Sequence, residues 1–104
     1  MTDELQQKVD EVIDLEEYAR AGRKPPKAKQ YRIRVDRERF VVSVSEMTGR
    51  QILELASKQP PERFRLDQKL RGGQTEKIEL DQVVDFTTPG VERFMTMPLD
   101  QTEG

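Results

Sequence analysis

Polarity along this chain changes period at three points, and the changes mark its elements. From Tyr31, apolar Tyr31, Ile33 and Val35 alternate with Arg32, Arg34 and Asp36, which predicts a half-buried strand. Phe40, Val42 and Val44 then alternate with Val41, Ser43 and Ser45 on a second strand. The polar stretch Asp36-Arg37-Glu38-Arg39 turns the chain between them, giving an antiparallel hairpin. At Met47 the spacing becomes helical. Thr48 is an N-cap, Gln51 three residues on completes a capping box, and Met47 and Ile52 are spaced for a hydrophobic staple. Ile52, Leu55 and Ala56 share one face of the predicted helix. Gln59-Pro60-Pro61 ends it, because a proline pushes its predecessor out of the helical region.

Period two then returns. Phe64 and Leu66 alternate with Arg63, Arg65 and Asp67 on a third strand, and Ile78 and Leu80 mark a short fourth. Val83, Val84 and Phe86 form a tighter segment closed by the turn signal Thr88-Pro89-Gly90. Val91 to Pro98 is the last strand, and Leu99 to Gly104 is a polar tail. In the last strand Phe94, Thr96 and Pro98 lie on one face and Arg93, Met95 and Met97 on the other. The large ring of Phe94 favours the inward side, beside Ile52 and Leu55. The outward apolar residues, Met95 and Met97, with Val41, Arg32 and Arg34 on the hairpin, form a candidate partner-binding surface.

Residues 1–29 read differently. Leu5, Val9, Val12 and Ile13 fall at helical spacing, and Leu15, Tyr18 and Ala19 extend the apolar positions. Asp3, Glu4, Asp10, Glu11, Asp14, Glu16 and Glu17 make the segment acidic; Gly22 stops the helix, and Pro25-Pro26 stiffens a linker. Two readings stand: a partly helical, mostly disordered arm, or an amphipathic segment docking through Leu5, Val9, Val12, Ile13 and Tyr18 on a partner or a second copy. The basic run Arg20, Arg23, Lys24, Lys27, Lys29, Arg32 and Arg34 follows. Only Tyr18 and Tyr31 flank it, and neighbouring acids offer internal partners, so it reads as a solvated linker face rather than a nucleic-acid site.

Composition narrows the chemistry. Hydrophobic residues make up 34% and charged residues 37% of the 104, so the core is small and the surface heavily charged. The net charge of −2 gives no general pull toward nucleic acid or membrane. No apolar run approaches the roughly 20 residues that span a bilayer, and no signal-peptide core is visible; the expected location is cytoplasmic. The chain lacks cysteine, which excludes disulfides, thiolate metal sites and thiol nucleophiles. It also lacks histidine, the commonest metal ligand and general base. The expectation is a protein that is not an enzyme, with no catalytic residue, metal or cofactor of its own.

Hairpin, helix, strand, short strand, irregular crossover and final strand make an α+β two-layer domain, a short helix across a mixed sheet. This order resembles the β-grasp fold of ubiquitin over residues 30–98, between the segment 1–29 and the tail 99–104. Tyr31-Arg32-Ile33-Arg34-Val35-Asp36, Met47-Thr48-Gly49-Arg50-Gln51-Ile52-Leu53, Val84-Asp85-Phe86 and Pro89-Gly90-Val91-Glu92-Arg93-Phe94 resemble the bacterial multiubiquitin domain family. Ile13-Asp14-Leu15-Glu16-Glu17-Tyr18-Ala19 resembles a segment that precedes such domains. The resemblance implies a ubiquitin-like modifier with a central last strand. It implies an activating-type adenylating enzyme, a conjugating-type enzyme, a deconjugating peptidase and target proteins as partners. The competing reading is a non-covalent β-grasp module that self-associates head to tail, its acidic arm binding the sheet of another copy.

Leu70-Arg71-Gly72-Gly73 spells the end of ubiquitin, but it lies 31 residues before the end of this chain. Cleavage there would remove the last strand, so the motif reads as a turn whose glycines supply positive φ. The expected conjugation site is the carboxylate of Gly104, preceded by Glu103 rather than a second glycine.

Overall fold

The computed structural model describes residues 9–99. The strands are β1 (Val9–Asp14), β2 (Ala28–Val35), β3 (Glu38–Val42), β4 (Glu46–Thr48), β5 (Phe64–Leu70), β6 (Thr75–Ile78), β7 (Val83–Asp85) and β8 (Val91–Pro98). Two α-helices, α1 (Leu15–Arg20) and α2 (Gly49–Leu55), and a 3-10 turn at Pro61–Arg63 complete the order. The main sheet runs β1-β2-β8-β5-β6 with β3 also on β2, and β4 pairs with β7 in a small separate ribbon. This is the α+β β-grasp expected from the element order: the last strand lies between the first strand of the hairpin and β5.

The hairpin forms as its alternation predicts, with Ile33 opposite Phe40 and Val35 opposite Glu38. Its turn is only Asp36-Arg37, and β3 ends at Val42, leaving Val44 exposed. Asp36 has a φ of 55°, a region that Asp tolerates better than most residues. The turn also holds β8. The Asp36 N–H donates to the Phe94 carbonyl at 2.8 Å, and the Thr96 N–H and hydroxyl donate to the Asp36 carboxylate at 2.8 and 2.6 Å. One aspartate thus continues the β2–β8 pairing beyond its register contact, Val35 with Phe94.

The capping box of α2 is present: Gln51 N–H donates to Thr48 Oγ1, and the Gln51 side chain accepts from Thr48 N–H. The buried stripe is Gly49, Ile52 and Leu53, while Leu55 and Ala56 are only half-buried. This corrects the face predicted through Leu55. The segment has apolar residues at 52, 53, 55 and 56, and the spacing from Gly49 decides the orientation. A Cβ at Gly49 would overlap the Glu79 carbonyl oxygen, so the helix start can lie against the Glu79–Gln82 loop only as glycine. The helix also ends before the prolines. Ser57, at φ 62°, donates its N–H to Glu54, and the Lys58 N–H reaches the Leu53 carbonyl. That pairing is a Schellman motif with serine in the position usually taken by glycine.

Ile33, Val35, Ile52, Leu53, Leu66, Phe86 and Phe94 are fully buried in one core. Phe94 points inward as expected. Val91 is buried on the same side three residues earlier, because Lys69 faces Arg93 but Leu70 faces Val91. Glu92 is therefore the extra residue of a bulge, which lets an odd spacing share one face. Gly72 and Gly73, at φ 99° and 100°, make the β5–β6 turn predicted for Leu70–Gly73.

The N-terminal segment departs from its helical prediction. Val9–Asp14 is a strand parallel to β2, with Ile13 opposite Tyr31 and Asp14 opposite Arg32. Val9, Val12 and Ile13 mimic helical spacing, but the hydrogen-bonding edge of β2 is a nonlocal partner that the period does not register. Since β3 takes one edge of β2, β1 and then β8 occupy the other in succession. Asp14 caps α1 by accepting from the Glu16 and Glu17 N–H groups.

Candidate partner-binding surface

The five residues expected to share a surface fall into two groups. Arg32 and Arg34 lie on the face of β2 opposite Ile33 and Val35. Arg32 approaches Asp14 at 3.6 Å, and Arg34 bonds Glu16 at 3.2 Å and the Asp36 carbonyl at 3.0 Å. Val41, opposite Arg32, is 47% exposed. Met95 and Met97 lie elsewhere. Phe94 is level with Val35 and β8 continues parallel to β2, so Met97 stands six residue positions past Val41, about 20 Å along the sheet. The neighbours of Met95 and Met97 are Asp67 and Arg65 on β5, and beyond Asp67 Lys77 on β6. Arg65, Lys69 and Lys77 were not expected there, although the alternation of Arg65, Asp67 and Lys69 with Leu66 contains the signal.

The arm residues divide as well. Ile13 is 1% exposed in the core, Tyr18 packs against the core and carries Arg23 over its ring at 5.0 Å, and Val12 is half-exposed. Val9 joins β1 through its backbone, and Leu5 lies outside the described residues. In this chain the surface that receives residues 9–19 is its own sheet, through the β1 backbone and the buried Ile13. Tyr31 seals the joint: the Ala28 N–H donates to its hydroxyl at 2.9 Å, and that hydroxyl donates to the Pro26 carbonyl at 2.8 Å. Burial raises the Tyr31 pKa above the usual phenol value.

Charge fastens α1 to the open face. Glu16, whose side chain is 7% exposed, accepts from Arg34 on β2 at 3.2 Å, with Arg39 on β3 at 3.9 Å, and within α1 it accepts from Arg20 at 2.8 Å. Lys24 donates to the Thr87 carbonyl at 3.0 Å, and the Arg71 guanidinium lies over Gly22. The basic run is therefore largely answered from within the chain. Asp85 accepts from the Thr87 N–H and hydroxyl, and these bonds hold its carboxyl below the usual range. Among the described residues no acids converge as a metal site, and no helix is long and apolar enough to cross a membrane. Gly104 lies outside the described residues. Leu99, the last described, is 44% exposed and donates its N–H to Arg63.

No curated protein and no solved structure matches the chain. The family model for multiubiquitin matches residues 31–98. That span opens at Tyr31 in β2 and closes with β8, taking in the whole grasp and omitting β1 and α1. By this match the chain belongs to the multiubiquitin family.

Proposed function

We propose that this chain is a protein modifier whose Gly104 carboxylate is the acyl donor. An activating-type enzyme would join the carboxylate to AMP with release of pyrophosphate. The acyl group would pass to a thiol of that enzyme with release of AMP, then to a thiol of a conjugating-type enzyme and on to an amine or hydroxyl of a target, each transfer freeing the thiol it leaves. A peptidase would reverse the linkage. With no cysteine or histidine in the chain, the thiols and imidazole bases of these steps belong to the partners. Besides family membership, one observation carries the reading. β8 is paired on both sides and clamped by Asp36, so the body holds the strand that leads to the tail. Incubation with a cognate activating enzyme and ATP should give a thiol-sensitive adduct, and deleting Gly104 should abolish it. Adduct formation that survives the deletion would remove Gly104 from the role.

A second reading is a non-covalent module assembling head to tail through its N-terminal segment. It is favoured by β1, a sheet-edge strand joined to its partner by main-chain bonds, which another copy's strand can replace. A Val12→Cys, Gln30→Cys pair spans the β1–β2 register in a chain without other thiols. Oxidation at high protein concentration should give disulfide ladders if strands exchange. Links confined to single chains would sink this reading.

A further inference from the structure

The outer face of β5, β6 and β8 carries side chains that the described chain leaves unanswered. Arg93 stands opposite Lys69, Met95 opposite Asp67, and Met97 opposite Arg65. Directly opposed like charges on neighbouring strands, with Cβ atoms about 5 Å apart, destabilise a sheet. Neither Lys69 nor Arg93 has an ion-pair partner among the described residues. The nearest acid in the pattern, Asp67, is already engaged by Arg65 at 3.1 Å. Beside this pair Met97 is 58% exposed and Met95 is half-exposed. Thioether side chains are flexible and polarisable, and adapt to varied apolar partners.

We propose that this face binds an acidic polypeptide segment that also carries aliphatic side chains. Its carboxylates lie between Lys69 and Arg93, and its apolar residues cover Met95 and Met97. Charge complementarity selects the acid, and the methionines select a polypeptide over a bare polyanion. One further observation weighs against nucleic acid: no aromatic side chain stands on these outward positions for a base to stack on. The inference goes beyond conjugation, since it requires neither the tail nor an activating enzyme.

Nitrogen-15 NMR titration of the full chain tests it. The probe is a 12-residue peptide alternating Asp or Glu with Ile or Leu; polyglutamate and single-stranded oligothymidylate are the comparisons. Shifts should centre on Lys69, Lys77, Arg93, Met95 and Met97 with the alternating peptide. Lys69→Glu should weaken binding about ten-fold while raising the melting temperature, because it removes the opposed cations. Met97→Ala should weaken binding several-fold with melting unchanged. Shifts absent or centred elsewhere, equal binding of polyglutamate or oligothymidylate, or unchanged affinity in both variants would each overturn the proposal.

Discussion

Two short helices serve one sheet and are held to it by different forces. α2 lies on the inner side and buries Gly49, Ile52 and Leu53 in the core. α1 also buries Leu15 in that core, with Ala19 buried beside it, and adds a second attachment, Glu16 to Arg34 and Arg39 on the other side of the sheet. Apolar burial is largely indifferent to ionic strength, whereas attraction to half-exposed guanidiniums is screened by salt. One helix is therefore held by burial, and the other by burial together with a charge contribution that salt weakens.

That contrast breaks most sharply at Leu53. Leu53→Ala should cost about 2–5 kcal/mol, and Leu55→Ala less, measured by denaturant unfolding; the reverse order would mean that α2 presents its other side to the sheet. Gly49→Ala should cost about 1–3 kcal/mol, because backbone rather than a mobile side chain meets the new Cβ. A silent substitution would mean that the Glu79–Gln82 loop yields freely. Glu16→Gln should cost about 1–2 kcal/mol, below the value for a fully buried ion pair because the arginines reach solvent. Its deficit should shrink in roughly 1 M salt while that of Leu53→Ala persists; equal salt responses would erase the distinction between the helices.

The smallest effect is at Asp85, beside Lys24 at the end of the α1 connection. Its carboxyl is held below the usual range in the folded chain, so its contribution is complete above the unfolded pKa of about 3.9. The contribution is lost as pH falls through the lower folded value. Asp85→Asn should therefore be slightly less stable at neutral pH, with the gap closing only in strong acid. A gap that widened on acidification would contradict this assignment.

The sequence made α2 legible because its signals are local: a capping box, a helical apolar run and a glycine. The hairpin, the Leu70–Gly73 turn and the last strand were legible for the same reason. β1 was not. Val9, Val12 and Ile13 satisfy a helical period, and only the free edge of β2 makes them a strand. Asp14 followed by Glu16 and Glu17 did contain a helix start that would have placed α1 correctly. The candidate surface was half legible. Met95 and Met97 were identified from alternation, but their neighbours depend on the register of β5 and β6. Arg32 and Arg34 looked available because their acidic partners are brought to them by a crossover.

The placement of β8 also gives the molecule a direction of mechanical weakness. A motor engaging the N-terminal side would first meet β1, an edge strand paired on one side only. A motor pulling beyond Leu99 would meet at once a strand flanked by β2 and β5 and tied to Asp36. Among the described residues, unfolding from that end has no peripheral strand to peel away first, so a chain tethered there would resist extraction more than the same chain drawn from β1.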